Sequence, residues 1–568
     1  MGSTAALATP AYAPLSVCNF PHSRTYPPSP PPAPAPLDSY WTANFYSSLT
    51  HCNANAALRE EAEIVVIGSG LTGSVAAAEL VDKLLKEPVR DEHERVKTTR
   101  IVVLEARTFS SGATGRNGGH LTAYPIAHFN ALADKYGSED AKRAVEMEDE
   151  AIRWLLGEVH AEGWEEDVDL QEGGGTLSLY DSPVQLETVK SSLSAAARAG
   201  LDPSKARFVS PEEVKEKWGA VCEGAFMVPG NNLYPLKFVT KLFQRAVRRA
   251  SSASTAAKES GELAPVELEL YTHCLVDTVA EADCAGKAWM VQTARGAIRT
   301  NHVLHATNAY LSSVLPSYAH SPSFPGIIPT RGQVMSFLPT APSSPSSPLH
   351  SWTNAFSPTS ASPGSGVNTY AFLRRWSAEG AERGEIIIGG MREHCKGWEW
   401  GVTDDTEVSS EVGNALRESV GKTWLGVFKL VEEGEVGMRV KERLQVQREW
   451  TGVMGYREDG NPMVGAVYLG GKKQEGQWIS AGYSGHGMPR APPCARLVGS
   501  LIHRHLVPSS SPFRLPPYFP RHLLATPDGH GRSETVLAEE AKPQKRSGKE
   551  AEKGWVWVAR REGKKAQL

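Results

Sequence analysis

The sequence predicts an α/β chain built on a Rossmann-like dinucleotide-binding domain, with a second domain that begins after the first βαβ unit. Three observations carry this. Residues 63–80, EIVVIGSGLTGSVAAAEL, set four apolar residues, Ile64–Ile67, directly before Gly68, Gly70 and Gly73 in G-x-G-x-x-G spacing. A second apolar strand, Ile101–Leu104, ends in Glu105, where a dinucleotide fold places the carboxylate that takes a ribose hydroxyl pair. Finally, GGGTLSLY at 173–180, with the Ala-rich helical run 183–199 behind it, departs from the first unit and opens the second domain.

The glycine turn reads as strand, tight turn and helix, the helix carried by Val75–Leu80. Gly68 turns the chain, Gly70 with Leu71 and Thr72 lets backbone approach a pyrophosphate, and Gly73 lets helix and strand pack closely. The helix N-terminus adds N–H donors and a positive dipole end. From Gly73 to Glu105 is longer than the usual ~20 residues. The charged stretch 86–100 accounts for this as a helix end plus an inserted loop.

Asp38–Asn55 is aromatic and polar, and is expected to be an ordered lead-in across the domain surface. After Glu105 and Ala106, residues 109–125 hold Gly112, Gly115, Gly118 and Gly119. That density implies backbone pressed against a ligand, with Arg116, Asn117 and His120 in the same loop. Residues 138–163 show helical periodicity with a serine cap and an acidic first turn, and Glu146, Glu148, Asp149 and Glu150 are expected on its solvated face. SPEEVKEKWG, 210–219, is a capped amphipathic helix, and Pro235 starts another whose Arg245, Arg248 and Arg249 are expected in solvent.

Strands are expected at 266–270, 288–294, 301–305 and 384–390, the third running into the small residues Ala306–Ala309. Residues 339–367 are Pro/Ser-rich and read as a loop insertion. WTGVMGYREDGNPMVG, 450–465, and QWISAGYSGHGMPRAPPCARLVGSLI, 477–502, form the last strand, loop and helix.

The composition narrows the function classes. At 568 residues, two to four domains are expected. A net charge of -4 gives no reason to propose nucleic acid as a partner. The seven cysteines show no C-x-x-C or ligand spacing, so neither a disulfide frame nor a metal site is expected, and Cys494 reads as a core thiol. No run approaches the ~18–20 apolar residues of a membrane span, and no secretory signal is read. The expectation is an intracellular, cytoplasmic chain, with Ala566-Gln567-Leu568 only a poor relative of the peroxisomal S-K-L tripeptide. Residues 1–37 and 526–568 are expected to be disordered tails.

Taken together, VVIGSGLTG, VVLEA, GATGRNGGH, HATNAY, TRGQV, WTGVMGY with NPMVG, and AGYSGHGM resemble the flavin-dependent amine and amino-acid oxidases typified by D-amino acid, glycine and sarcosine oxidases. The set looks closest to the fungal and γ-glutamylputrescine oxidase-like branch. The resemblance spans roughly residues 40–505. It implies FAD, a discontinuous Rossmann-like FAD-binding domain (38–130, 205–330 and 447–510), and an inserted α+β substrate domain with a mixed sheet (131–204 and 331–446).

It further implies oxidation of a C–N bond in a small amine or amino acid, by hydride transfer to the flavin N5, with oxygen or another acceptor taking the electrons. Gly68, Gly70 and Gly73 would hold the pyrophosphate and Glu105 the ribose. Gly115–Gly119, Arg116 and His120 would lie along the flavin. Gly482, Gly485, His486, Gly487 and Met488 would cover its pyrimidine side.

The departures from the family are specific. Where sarcosine-type oxidases carry a flavin-linking Cys, the aligned segment 452–456 has none, so FAD is expected to be non-covalent unless linked to His120. The oxygen-activating Lys is missing from 385–389, which argues against fast reaction with oxygen. A carboxylate-binding Lys is replaced by Pro489, with Arg490 adjacent as a substitute or as a helix-start arginine facing solvent or phosphate. Arg116, His120 and Arg490 are therefore the candidate catalytic residues. The competing readings are a flavin-binding regulator or assembly factor without turnover, and an NAD-linked dehydrogenase.

Overall fold

The computed structural model describes residues 20–529 apart from 124, 205, 262, 283–285, 340–354, 359–371, 374–384, 424–429, 433–437, 441–443 and 509–512. Its centre is a six-stranded sheet. Ile64–Ile67 lies in the middle, parallel to Thr99–Leu104 on one side and to His302–His305 on the other. Val266–Tyr271 extends the first side; Lys472–Ala481 and Met463–Leu469 extend the second, the last pair antiparallel. The strand Ile64–Ile67 is buried on both faces, which is why its four positions are all apolar rather than alternating.

One face is covered by helices Leu71–Lys86, Pro235–Ser260 and Gly487–Leu506. The expected strand at 288–294 belongs to a three-stranded antiparallel meander, Val276–Glu281, Trp289–Thr293 and Gly296–Thr300, packed on the other face. Its two companion strands, of which Val276–Glu281 is mostly exposed, were not foreseen.

The second unit has two four-stranded sheets. One orders Ala355–Pro358, Thr176–Tyr180, Gly224–Val228 and Arg207–Val209; the other orders Phe372–Leu373, Ile386–Gly389, Ile328–Pro339 and Leu444–Tyr456. Leu177, Leu179, Met335, Phe337, Ile386 and Ile388 share a core with Val412 and Leu416 of helix Ser410–Thr423. The chain is thus α/β with mixed parallel and antiparallel sheets. The boundary expected at 205 cuts through the first of these sheets, because Gly224–Val228 pairs with the strand at 176–180 and Arg207–Val209 pairs with Gly224–Val228.

Four further expectations need correction. Residues 20–37 are not a loose tail, although without regular structure they resemble one in composition. The Leu37 N–H donates to the Asp405 carbonyl and the Tyr26 N–H to the His320 carbonyl, while Arg107 and Arg116 donate to the carbonyls of Ala33 and Leu37. Prolines that cannot donate leave those carbonyls to the buried arginines. Likewise Thr526–Gly529 is ordered, with the Gly529 carbonyl accepting from Arg457; the rest of both tails lies outside the described residues.

Ser138 is the first residue of helix Ser138–Glu162 and not its cap, a place taken by Gly137 at φ 85°. Arg245 is not in solvent: it pairs with Glu158 and Glu162 and keeps only 12% side-chain exposure, whereas Arg249 pairs with Asp82 at 2.6 Å. Finally, Ala355–Pro358 forms a parallel strand within the stretch expected to be loop, most of which lies outside the described residues.

Candidate functional site

The glycine turn is as tight as its spacing requires. A Cβ at Gly73 would stand 1.9 Å from the Gly68 carbonyl oxygen, so strand end and helix touch through backbone. A Cβ at Gly70 would meet only the Thr114 hydroxyl, at 3.1 Å, because that position opens into a cavity of about 430 Å³. The Leu71 N–H at the helix start donates to the Thr114 hydroxyl at 2.9 Å.

Glu105 is positioned from both sides. One carboxylate oxygen accepts from the Ser69 N–H (3.0 Å) and hydroxyl (2.7 Å), the other from the Arg107 N–H (3.1 Å). This leaves acceptor capacity on an oriented carboxylate at the end of its strand.

The far end of the chain closes the same cavity. Asn308, held at φ 45°, accepts from the N–H groups of Gly482 (3.0 Å) and Tyr483 (3.3 Å), tying the third parallel strand to the 482–488 turn. The Tyr483 hydroxyl bonds to Thr72 at 3.0 Å and Ser480 at 2.7 Å, which joins the N-terminal glycine turn to the C-terminal one. Gly485, His486, Gly487 and Met488 then line the same cavity as Gly68, Gly70, Leu71 and Thr72.

Of the remaining expected site residues, Glu105, Ala106, Arg116, Asn117, Gly118 and His120 line this cavity, whereas Gly73, Gly115, Gly119 and Gly482 stand behind it as packing. Gly119, at φ 77°, passes so close to the buried Trp41 that a Cβ would lie 3.1 Å from the ring. Trp41 belongs to the lead-in, and its indole N–H donates to the Asn117 carbonyl at 2.6 Å.

The three candidate catalytic side chains fare differently. Arg116 is buried and structural. It donates to the carbonyls of Ser111 (3.0 Å), Thr451 (2.7 Å) and Leu37, and stands 3.6 Å from Asp405. Burial lowers it to about 10, with Asp405 opposing. Arg490 lines the cavity too, and is held there by Glu148, which accepts from it at 2.7 Å, and by the Gly460 carbonyl at 2.9 Å. His120 does face the cavity, and burial lowers it to about 4, so it is neutral near pH 7.

Glu148 was expected on a solvated face; it is 1% exposed. It accepts from His486 at 2.9 Å as well as from Arg490. Burial works to raise its carboxyl, but His486 and Arg490 outweigh that and hold it at about 2. Nothing in a helix of alternating acids distinguishes Glu148, because its partners lie more than three hundred residues away. His128 also lines the cavity and was missed; burial, then His486 and Arg490, lower it to about 4, with Glu148 opposing.

These residues fit a dinucleotide. Gly70 leaves room where any side chain would intrude, Glu105 is oriented with spare acceptor capacity, and the Thr307 hydroxyl, beside the Gly68 turn, is buried without a hydrogen-bond partner. A buried hydroxyl without a partner costs free energy unless a ligand supplies one. Among the described residues no group of acids, histidines and cysteines is placed to hold a metal, and no helix is long and apolar enough to cross a membrane.

Comparison with known proteins points the same way. The DAO family, described as FAD dependent oxidoreductase, matches residues 63–501. The chain is 24% identical over 267 residues to a probable oxidoreductase OrdL of Rhizobium meliloti (strain 1021), covering 45% of this chain and 51% of that protein. It spans about half the length of the curated relatives it matches. Among solved structures, an iminodiacetate oxidase from Chelativorans sp. BNC1 aligns over 81% of this chain and 99% of its own at 15% identity and TM-score 0.54. An L-proline dehydrogenase from P. horikoshii aligns over 79% and 94% at 21% identity and TM-score 0.52. At such identities the likeness is one of fold.

Proposed function

The chain belongs to the FAD-dependent oxidoreductase family that matches residues 63–501, and from that premise we propose that it oxidises the C–N bond of a primary or secondary amine or amino acid. The observation that carries the proposal is the convergence of both ends of the chain on one cavity, lined by Gly70 and Glu105 and by Gly485–Met488 alike. An NAD-linked dehydrogenase is set aside by the family.

In this reading Gly68, Gly70, Leu71 and Thr72 hold the pyrophosphate at the helix N-terminus. Glu105 takes the adenosine ribose hydroxyls, and Asn117, Gly118 and His120 lie along the ring system. When bound, FAD supplies a two-electron acceptor for the hydrogen and bonding pair of the substrate α-carbon.

The protein's own part is binding and orientation. His120 and His128, neutral by burial, place no positive charge of their own on the cavity wall. A substrate amine reacts once it has given up its ammonium proton to solvent, so that its lone pair can form the C=N bond as the α-hydrogen departs. Glu148 pins His486 and Arg490 at the start of the last helix, where helix-terminal N–H groups favour negative charge on a ligand. The FAD is held without a thioether, since residues 452–456 offer no cysteine.

The direct test is anaerobic mixing with a broad panel of amines and amino acids. The yellow protein is expected to bleach with at least one of them and to recover its colour when air or an artificial acceptor is admitted. A flavin-binding protein without turnover is the second reading. It is favoured by the commitment of Arg490 to Glu148 and by the lack of lysine among the described lining residues. Retained flavin that no amine reduces would decide for it.

A further inference from the structure

Past the buried strand Ile386–Gly389, the chain turns at Gly390 (φ 117°) and Met391 (φ 62°) into the single 3-10 turn Arg392–His394. Gly389–Glu393 line the cavity already described. Glu393 is placed there at a cost. Its side chain is 11% exposed, and both carboxylate oxygens are buried without a hydrogen-bond partner. Burial raises its pKa, offset in part by its own amide N–H, His394 and Arg392.

Neither neighbouring basic side chain satisfies it. The His394 Nε2 stands 3.9 Å away, outside hydrogen-bond distance, on a half-exposed ring. The Arg392 guanidinium lies over the rings of Trp400 (4.3 Å) and Tyr456 (4.5 Å). The other carboxylate of the described lining, Glu105, has partners on both oxygens. A buried carboxylate left unsatisfied costs several kcal/mol, so its place on a cavity wall fits a group whose counter-charge arrives with the ligand.

Resting on the amine-oxidation reading above, we infer that Glu393 binds a cationic ammonium group of the substrate, and that the substrate therefore carries two nitrogens. An ammonium held on a carboxylate stays protonated and has no lone pair to form C=N, so it is not the nitrogen oxidised. The reacting nitrogen is a second, neutral amine elsewhere on the same aliphatic chain. Glu393 thus selects diamines or polyamines over monoamines and over amino acids whose far end is an anion.

Three six-carbon probes separate these cases on the FAD-loaded full chain: hexamethylenediamine, hexylamine and aminocaproate. Anaerobic titration gives half-saturation of the flavin spectral change, and bleaching reports turnover. The diamine is expected to saturate at roughly tenfold or more lower concentration than hexylamine, as for a charge-assisted hydrogen bond, and aminocaproate to bind worst. Glu393→Gln is expected to bring diamine and hexylamine together while flavin content and melting temperature hold, because it removes an unpaired buried charge. Glu393→Asp should restore part of the preference.

Equal binding of diamine and hexylamine by the wild type, no response to the diamine, tighter binding of aminocaproate, or a preference that survives Glu393→Gln would each overturn the assignment. If bleaching by amines persists in those cases, the proposed function stands without it. A preference that depends on Glu393 with no bleaching would keep the subsite and remove the turnover.

Discussion

At the scale of single residues, the two glycines of one turn separate packing from binding. Gly70→Val adds atoms toward open cavity, where a Cβ would meet only Thr114. The variant is expected to keep its circular dichroism and lose most of its flavin; a Gly70→Val protein that stays yellow would contradict the phosphate assignment. Gly73→Val drives a side chain into the Gly68 carbonyl and is expected to give little folded protein. Glu148→Ala leaves His486 and Arg490 without their carboxylate. The expected loss is on the order of 3 kcal/mol, the low end for breaking a buried pair because His486 is a third exposed. Because the folded carboxyl lies at about 2, below its unfolded value near ~4.3, this stabilisation is present above the unfolded value and fades as pH falls toward the folded one. Urea midpoints of the two proteins should therefore differ most at neutral pH and converge at low pH; a constant gap would assign Glu148 a packing role only.

Among elements, the strap at 20–37 gives the sharpest expectation. Deleting residues 1–37 removes the Ala33 and Leu37 carbonyls from Arg107 and Arg116, two guanidiniums that stay buried beside Asp405. The truncated chain is expected to melt several degrees lower and to hold flavin less well; equal melting temperatures would show the strap to be ornamental. This element was misread because a prolyl segment without periodicity looks alike whether it is free or stapled by distant side chains. The strands at 64–67, 101–104 and 386–389 were legible because burial on both faces forces apolar runs. The meander strand Val276–Glu281 was not, since it has only two buried or half-buried positions among exposed ones.

Over the whole molecule, the glycine turns at both ends and Glu105 could be read from sequence, because each needs a local backbone shape that leaves a local signature. His128 and Glu393 on the cavity wall, and Glu148 behind it, owe their positions to contacts across the fold and carry no such mark. Neutral burial of histidines is likewise a property of the assembly. Burial holds His120, His128, His302 and His305 each at about 4, below the unfolded value near ~6.5. Their folded state binds fewer protons, so stability is full above the unfolded value and falls as pH drops toward 4. Denaturant midpoints should decline through that window, and a flat profile would contradict the burial. The central claim is that one cavity closed from both ends of the chain holds FAD and passes it electrons from an amine. A single anaerobic turnover tests it most directly, with bleached flavin and released carbonyl product counted together. The account predicts one carbonyl formed per flavin reduced, after hydrolysis of the C=N product; flavin that no amine or amino acid bleaches, or bleaching without carbonyl, would contradict it.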